Sequence, residues 1–566
     1  MKSGLMLSIF AVATFIAAIP CQAGDKARIK TPEYIFNAMN DEMSRSMSGL
    51  RMDDLQMPYF MAYTVSDREE SYFAATFGAL TAASENSKDR LVKAEVRIGT
   101  SSFDSTLFVG NPYGDYEPTY AYSPYVGNYG TLRHTLWRAT DAAYKEALDT
   151  FSKKIAFVQS KNIEELYDDH SPAPVLEYDE TFTPAPFDSD KAKSLVKEIS
   201  AIFKEYPEID SSATSIYRRH TNDYFINSEG SRYAKSSCLG SVEMSASAMV
   251  GDGYSISEYK KFEFCDPKDI PSKKQLEDTA REMASRLTKD VKSETLQAYI
   301  GPVLFEGYAA GSFFESLFVN NVANPREVWR TESQWSRGYI YSRAGELDER
   351  LGMRVLPPFL NAYDDPFAEN YNGTILAGNY KVDDEGTAAQ KINLVSRGRL
   401  TDYYRFRAAT RDFPGSNGHG RGEAHENITG GPGNIFIQPD ETSQFTVPAK
   451  ELKQKLIDLC REQELEYGLV IRYMGGLSSV FHAYKVYPDG HEEPVHALVF
   501  SGLGLRSLRD IAYASRELSV NSLSWSPPAS LICPDILVRE MEVRRTSGKP
   551  PKKPYLPHPH FAKISN

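Results

Sequence analysis

The junction between an apolar strand-like run and a helix rich in small and aromatic residues constrains this fold more than any other stretch. Tyr299-Ile300-Gly301-Pro302-Val303-Leu304 reads as a buried strand, and Tyr308-Ala309-Ala310-Gly311-Ser312-Phe313-Phe314-Glu315 follows almost at once. Ala310, Phe313, Phe314, Leu317 and Phe318 then recur at helical spacing, which predicts a helix over 308–322 with a broad apolar stripe. Ala309, Ala310 and Gly311 carry almost no side chain, so this helix is built to lie against another backbone.

The rest of the chain divides around that junction. At 566 residues two domains are expected, with ample chain for real cores. In the first, Pro32 to Met47 reads as a helix, and Tyr59–Val65, Ser71–Phe77 and Leu91–Ile98 read as successive strands of a meander. Six tyrosines with Gly, Pro and Asn between Phe108 and Gly130 predict a long loop, either functional or mobile. Leu132, Leu136, Ala143, Tyr144, Ala147, Leu148, Phe151 and Ile155 mark a core helix, and Asp168 to Asp188 reads as a Pro- and Asp-rich connector. A helix through Leu195 to Phe203 follows, then alternating strands from Ser215 to about Phe264, then a helix through Leu276 to Val291. The boundary is placed at 295, giving an N-terminal mixed α/β domain over 24–295 and a strand-rich C-terminal domain over 296–545. Tyr487-Pro488-Asp489-Gly490 marks a hairpin there. The fold class expected is α+β, ending in a Pro- and Lys-rich tail over 546–566.

Residues 1–23 have the form of a secretory leader: Lys2, an apolar run from Leu5 to Ile19, then Cys21-Gln22-Ala23 before the polar Gly24-Asp25-Lys26. A lipidated Cys21 is the competing reading, but Ala18-Ile19-Pro20 is a poor small-residue context for it. No later segment is apolar enough for a spanning helix, so an exported protein, periplasmic or extracellular, is expected. Loss of the leader removes Lys2 and no acid, which moves the net charge from −12 to −13, 63 basic groups against 76 acidic. Such a surface repels phosphate backbones, which argues against nucleic-acid binding. Of the four remaining cysteines, Cys238 and Cys265 could pair in an oxidising compartment. Buried thiols remain the alternative.

Several motifs, in order along the chain, resemble the TldD/TldE (PmbA) family of metallopeptidases. Besides the 301–315 run, Val382-Asp383-Asp384-Glu385-Gly386 resembles its DDEG turn and Ser396-Arg397-Gly398-Arg399-Leu400 the turn after it. Asn417-Gly418-His419-Gly420-Arg421 resembles its GNGR loop, and Ile532 to Val543 its closing strand. The pieces Ala94–Gly99 and Thr135–Tyr144 resemble an exported branch. TldD-type members carry HExxxH followed by an acid. With Glu315 on that acid, the histidines fall on Gly307 and Ser312 and the glutamate on Tyr308. A zinc site needs imidazole, thiolate or carboxylate donors and a base beside the activated water, and these three positions supply none. The family's late cysteine ligand falls near Val520, and Cys533 lies too far along to replace it. The resemblance is therefore to the TldE type, which lacks the metal and pairs with a TldD-type partner around a shared chamber.

The candidate substrate-binding residues are Asp383, Asp384, Glu385 and Gly386 on the acidic turn and Asn417, Gly418, His419 and Arg421 on the Gly-rich loop. The turn is read as a cleft wall for a peptide's amino terminus or backbone N–H groups, with a solvated acidic hairpin as the plain alternative. Arg421 offers a fork for a carboxylate, a substrate C-terminus or Glu385. His419 and His425, with Glu423 between them, are not on one helix face, so a shared metal is not expected. His558 and His560 lie in the tail.

The leading reading is a metal-free peptide-binding or partner subunit, a homodimer or a heterodimer with a relative, with no cofactor and no assigned catalytic residue. A metallopeptidase with zinc on non-standard ligands and a non-enzymatic envelope scaffold remain the alternatives. The leader predicts that the mature protein begins at Gly24. N-terminal sequencing checks this, and a blocked, lipid-bearing Cys21 is the contrary result.

Overall fold

The computed structural model describes residues 32–109, 120–250, 253–323, 326–330, 346–475 and 479–546. The leader, residues 110–119 of the tyrosine-rich segment and the histidines of the tail lie outside the described residues; the rest of that segment is not all loop, since Tyr120–Ser123 is a strand and a helix starts at Tyr129.

The first half builds one sheet from β1 (Phe60–Thr76), β2 (Ala79–Arg97), β3 (Tyr120–Ser123), β4 (Glu177–Glu180), β5 (Ile209–Asn227), β6 (Arg232–Met249) and β7 (Ser255–Phe264). Their order is β7-β6-β5-β1-β2-β3, with β4 parallel to β6. The helices α1 (Glu33–Gly49), α2 (Tyr129–Lys161), α3 (Ser189–Ala201) and α4 (Lys273–Asp290) pack on this sheet. Successive strand residues point to opposite faces. Met61, Tyr63 and Val65 meet α1 and α2, whereas Phe60 and Ala62 join Phe225 and Tyr233 of the same sheet and Val382 of the second half. One face thus carries the helices and the other receives the C-terminal half.

That half begins with β8 (Ala298–Phe305), which enters α5 (Tyr308–Phe314) after two residues. The helix then widens to π geometry over Glu315–Val319 and closes at Val322. The principal strands that follow are β9 (Leu360–Asp364), β10 (Ile392–Ser396), β11 (Asn434–Pro439), β12 (Gly468–Gly475), β13 (Ser479–Val486), β14 (Glu492–His496), β15 (Ile511–Ser522) and β16 (Ser530–Arg545). A mixed sheet runs β14-β13-β12-β8-β16-β11-β9-β10, and β15 pairs with β16. Val303 and Phe305 pack with Phe313, Phe314 and Phe318, while Leu304 turns to α6 (Ala449–Glu462) through Leu456 and Cys460. From Gly301 to Phe305 both faces of β8 are dry, which is why Val303-Leu304-Phe305 is apolar without alternation, while Ile300 before them is exposed.

The architecture is mixed α/β in two sheets, one drawn from residues 60–264 and the other from 294–545. Two local expectations need correction. Tyr59–Val65 and Ser71–Phe77 are one continuous strand, β1, because the charges between them pair across to β2: Arg90 donates to Asp67 at 2.5 Å and Lys88 lies 3.0 Å from Glu69. The 168–188 connector contains structure of its own. Asp169 is buried, accepting from Lys154 at 2.6 Å and Arg326 at 2.9 Å, and Glu177–Glu180 adds a strand. Cys238 and Cys265 form no disulfide; the Cys238 thiol donates to the Cys265 carbonyl at 3.2 Å.

Candidate functional site

The acidic turn and the Gly-rich loop do meet, and they meet in the interior. Gly386 takes φ +80°, and a Cβ there would stand 2.9 Å from Phe225, so only glycine lets the turn seat on β5. Asp383 accepts from the N–H groups of Glu385, Thr387 and Gly420 at 3.0, 2.8 and 3.0 Å. The Asp384 N–H donates to the Gly420 carbonyl at 2.8 Å, stitching turn to loop. Gly418 (φ +75°) packs against the Ala388 carbonyl, and a Cβ at Gly420 would strike Glu385. The glycines therefore serve close approach of the two segments.

The turn, read from sequence as a cleft wall or a solvated hairpin, is instead packed into the seam with its carboxylates partnered. Asp383, Glu385, Asn417, His419 and Arg421 are all buried. Asp384 accepts from Lys235 of β6 at 2.6 Å and from the Gly422 N–H at 3.0 Å, with Arg421 3.9 Å away. Arg421 faces Asp384 rather than Glu385, and its guanidinium lies 4.0 Å from the centroid of the Tyr380 ring. Glu385 accepts from the Arg407 N–H at 2.7 Å. Asn417 holds the loop by donating to the Tyr403 carbonyl at 2.8 Å. His419 lies between the Asn417 carbonyl at 3.1 Å and Asp364 at 3.5 Å. His425 is instead partly exposed beside Arg68, Glu423 and Glu426, so the two histidines serve separate neighbours. The sequence reading missed Lys235, Arg407 and Asp364. A lysine on an alternating strand and an arginine in an irregular segment carry no local signal of their partners.

Burial raises all three acids, but their neighbours leave them at different net positions. It would push Asp384 up, but the adjacent Lys235 ammonium and Arg421 guanidinium outweigh it and hold the group below its usual value. Asp383 is pushed up to about 6 by burial, partly offset by its backbone donors. Glu385 is pushed up to about 8 by burial and by the charge of Asp383. The turn is therefore an ion-paired carboxylate beside a carboxyl pair that retains a proton.

At α5, Gly307 takes φ +51° and its N–H donates to Asp535 at 2.7 Å. Tyr308 is 40% exposed, Ser312 is buried, and Glu315 accepts from the Ser524 N–H at 2.7 Å. A Cβ on Gly311 would lie 2.5 Å from the Asn521 side chain, so the helix rests directly on β15 beside Val520. Asn521 in turn approaches the buried Cys533 sulfur at 3.5 Å. Zinc does not fit this donor set: a glycine, a phenol and a hydroxyl stand where the resemblance calls for imidazoles and a carboxylate. Among the described residues, no group of three or more His, Cys, Asp or Glu is placed to hold a metal ion.

Two outcomes follow for the acidic turn. In the unfolded chain the Glu385 carboxyl ionises near its ordinary 4.5, whereas in the fold it keeps its proton to about pH 8. Its contribution is full below pH 4.5 and is lost as pH rises through 8. Glu385→Gln should therefore gain stability relative to wild type by about 1–3 kcal/mol between pH 5 and pH 9 in urea denaturation. A difference that does not change with pH refutes this. Asp384→Ala strands Lys235 and Arg421 and should lose about 2–4 kcal/mol by the same measurement. A loss under about 1 kcal/mol would mean that the pair is not dry.

Comparison with known proteins agrees with this geometry. Residues 298–545 match the PmbA/TldA metallopeptidase C-terminal domain and residues 182–289 the PmbA/TldA metallopeptidase central domain. No curated protein matches the chain in sequence. Among solved structures, TldE from Thermococcus kodakarensis aligns with a TM-score of 0.58 at 13% identity, over 89% of this chain and 99% of that one. A Thermotoga maritima protein named for DNA gyrase modulation aligns at 0.57 and 15% identity, over 86% and 96%. A Bacteroides thetaiotaomicron protein named likewise aligns at 0.56 and 11% identity, over 91% and 98%. With both family domains in order, and the acidic turn, Gly-rich loop and metal-motif helix all within the C-terminal one, the chain belongs to the TldD/TldE (PmbA) metallopeptidase-related family.

Proposed function

We propose that this protein is an exported, metal-free member of its family that binds peptide segments, alone or as the partner of a relative, and does not hydrolyse them. The observation that carries the reading is the start of α5. Gly307, Tyr308 and Ser312 provide neither ligand nor base, and Asn521 packs on Gly311 where the helix faces the closing strands. The loss extends to every family ligand position, which favours a changed role over a displaced ligand. Export rests on the leader-like residues 1–23. It is compatible with there being no helix among the described residues long and apolar enough to cross a membrane.

In this reading Asp383, Asp384, Glu385 and Gly386, with Asn417, Gly418, His419 and Arg421, act by setting the seam between the two halves. Contact with peptide then falls to the side chains that line the seam. A dimer, with itself or with a metal-bearing relative, would complete the chamber, as the family resemblance implies.

Metal analysis of the mature protein, purified without a histidine tag and assayed for peptide hydrolysis, tests this. Sub-stoichiometric zinc and no hydrolysis are expected. A one-to-one zinc signal accompanied by peptidase activity would overturn the proposal and make this chain an enzyme in its own right.

A further inference from the structure

Three phenol rings from three separate elements converge beside the start of α5. Tyr308 opens the helix, Tyr259 lies on β7 of the first sheet, and Tyr473 lies on β12 of the second. The Tyr308 and Tyr473 centroids are 5.2 Å apart at 47°, Tyr308 and Tyr259 are 6.1 Å apart at 62°, and Tyr259 and Tyr473 are 6.3 Å apart at 18°. Tyr308 is 40% exposed and the other two are half-buried, so the cluster opens to the surface along the seam. Packing alone does not need that exposure, since the seam has dry aromatic neighbours such as Phe225 and Tyr233 elsewhere.

Two acids lie within electrostatic reach of Tyr308, one of them beside Tyr259 as well. Glu243 of β6, directly across from Lys261 of β7, stands beside the Tyr259 hydroxyl and within the field of Tyr308. Glu315 follows Tyr308 two helical turns later and lies within its field as well. Burial pushes all three phenols above their ordinary range, so the rings stay neutral and their faces present only the negative side of the quadrupole. A cation seated over the ring triangle lies within about 6 Å of all three centroids, the range in which the attraction acts. Partial exposure lets it enter, and the two carboxylates add net negative charge.

We propose that Tyr259, Tyr308 and Tyr473, with Glu243 and Glu315, form an aromatic cage for the primary ammonium group of a peptide, a lysine side chain or a free amino terminus. The inference rests on the peptide-binding reading above and gives it a substrate class. It also assigns a role to Tyr308, which occupies the position of the family's catalytic glutamate: the residue has exchanged proton transfer for cation recognition.

Calorimetric titration of the mature protein with three tripeptides tests the cage. One is alanine, lysine and alanine with both ends blocked. The second replaces lysine with norleucine, and the third is the norleucine peptide with a free amino terminus. At least one ammonium-bearing peptide should bind about tenfold tighter than the blocked norleucine peptide, with the affinity falling as salt rises. Comparing the first with the third distinguishes side chain from terminus. Tyr473→Ala should weaken that binding about tenfold, Tyr473→Phe should keep it within about twofold, and Glu243→Gln should weaken it and flatten the salt dependence. Equal binding of the blocked norleucine peptide would make the site an apolar groove and overturn the cage. So would unchanged affinity in Tyr473→Ala, which would leave peptide binding in place at another site. If neither these peptides nor a mixed peptide library binds, the cage and the peptide-binding role fall together.

Discussion

The fold depends on keeping an acidic turn dry at the seam between two sheets. Of three consecutive acids, Asp383 and Glu385 are buried and Asp384 between them is nearly so, and isolated carboxylates there would cost several kcal/mol each. The cost is met from the other half of the chain. Lys235 reaches Asp384, and Arg407 donates from the second half to Glu229 at 2.6 Å. Arg219 and Arg68 both reach Glu423, and Lys93 donates to the Glu426 carbonyl at 2.6 Å. Each of these pairs joins residues more than a hundred positions apart, so neither sheet can shift without stranding a charge. Such a seam has one register. That fixed register is what lets Tyr259 of the first sheet be held against Tyr308 and Tyr473 of the second.

How much of this was legible in the sequence depended on whether a residue's partner was local. Helix α2 was readable because Leu132, Leu136, Ala143 and Tyr144 recur on one face, and all are buried. The 308–322 helix and the Tyr487–Gly490 hairpin were readable for the same kind of reason, with Tyr487 accepting the Gly490 N–H at 2.8 Å. The middle of β1 was not, since Asp67 and Glu69 look like turn residues until β2 supplies Arg90 and Lys88. Asp169 read only as part of a connector because its partners lie apart from it in sequence, Lys154 in the preceding helix and Arg326 157 residues on.

The candidate site shows the same division in sharper form. The acidic turn and the Gly-rich loop were identifiable as a pair, but their glycines were open to two meanings. Glycine frees an amide for a ligand, or it lets two backbones touch. Gly386 against Phe225 and Gly418 against Ala388 decide for contact, and only the tertiary arrangement carries that decision. Tyr259 and Tyr473 were invisible for the converse reason. Nothing distinguishes one tyrosine among 34 until three of them converge.

The start of α5 shows how this helix is anchored where Gly307, Tyr308 and Ser312 offer no imidazole or carboxylate. Zinc held by helix and closing strands would tie the two together, and Gly307, Tyr308 and Ser312 cannot replace it in that task. Hydrogen bonds stand there instead. Asp535 of β16 accepts from the Gly307 N–H, Glu315 accepts from the Ser524 N–H at 2.7 Å, and Trp525 donates to Asn320 at 3.1 Å. Asn521 fills the space over Gly311. The helix is thus tied at its start, middle and end to β15, β16 and the loop between them. These contacts hold the helix in place, and its half-exposed first residue, Tyr308, stands beside Tyr259 and Tyr473.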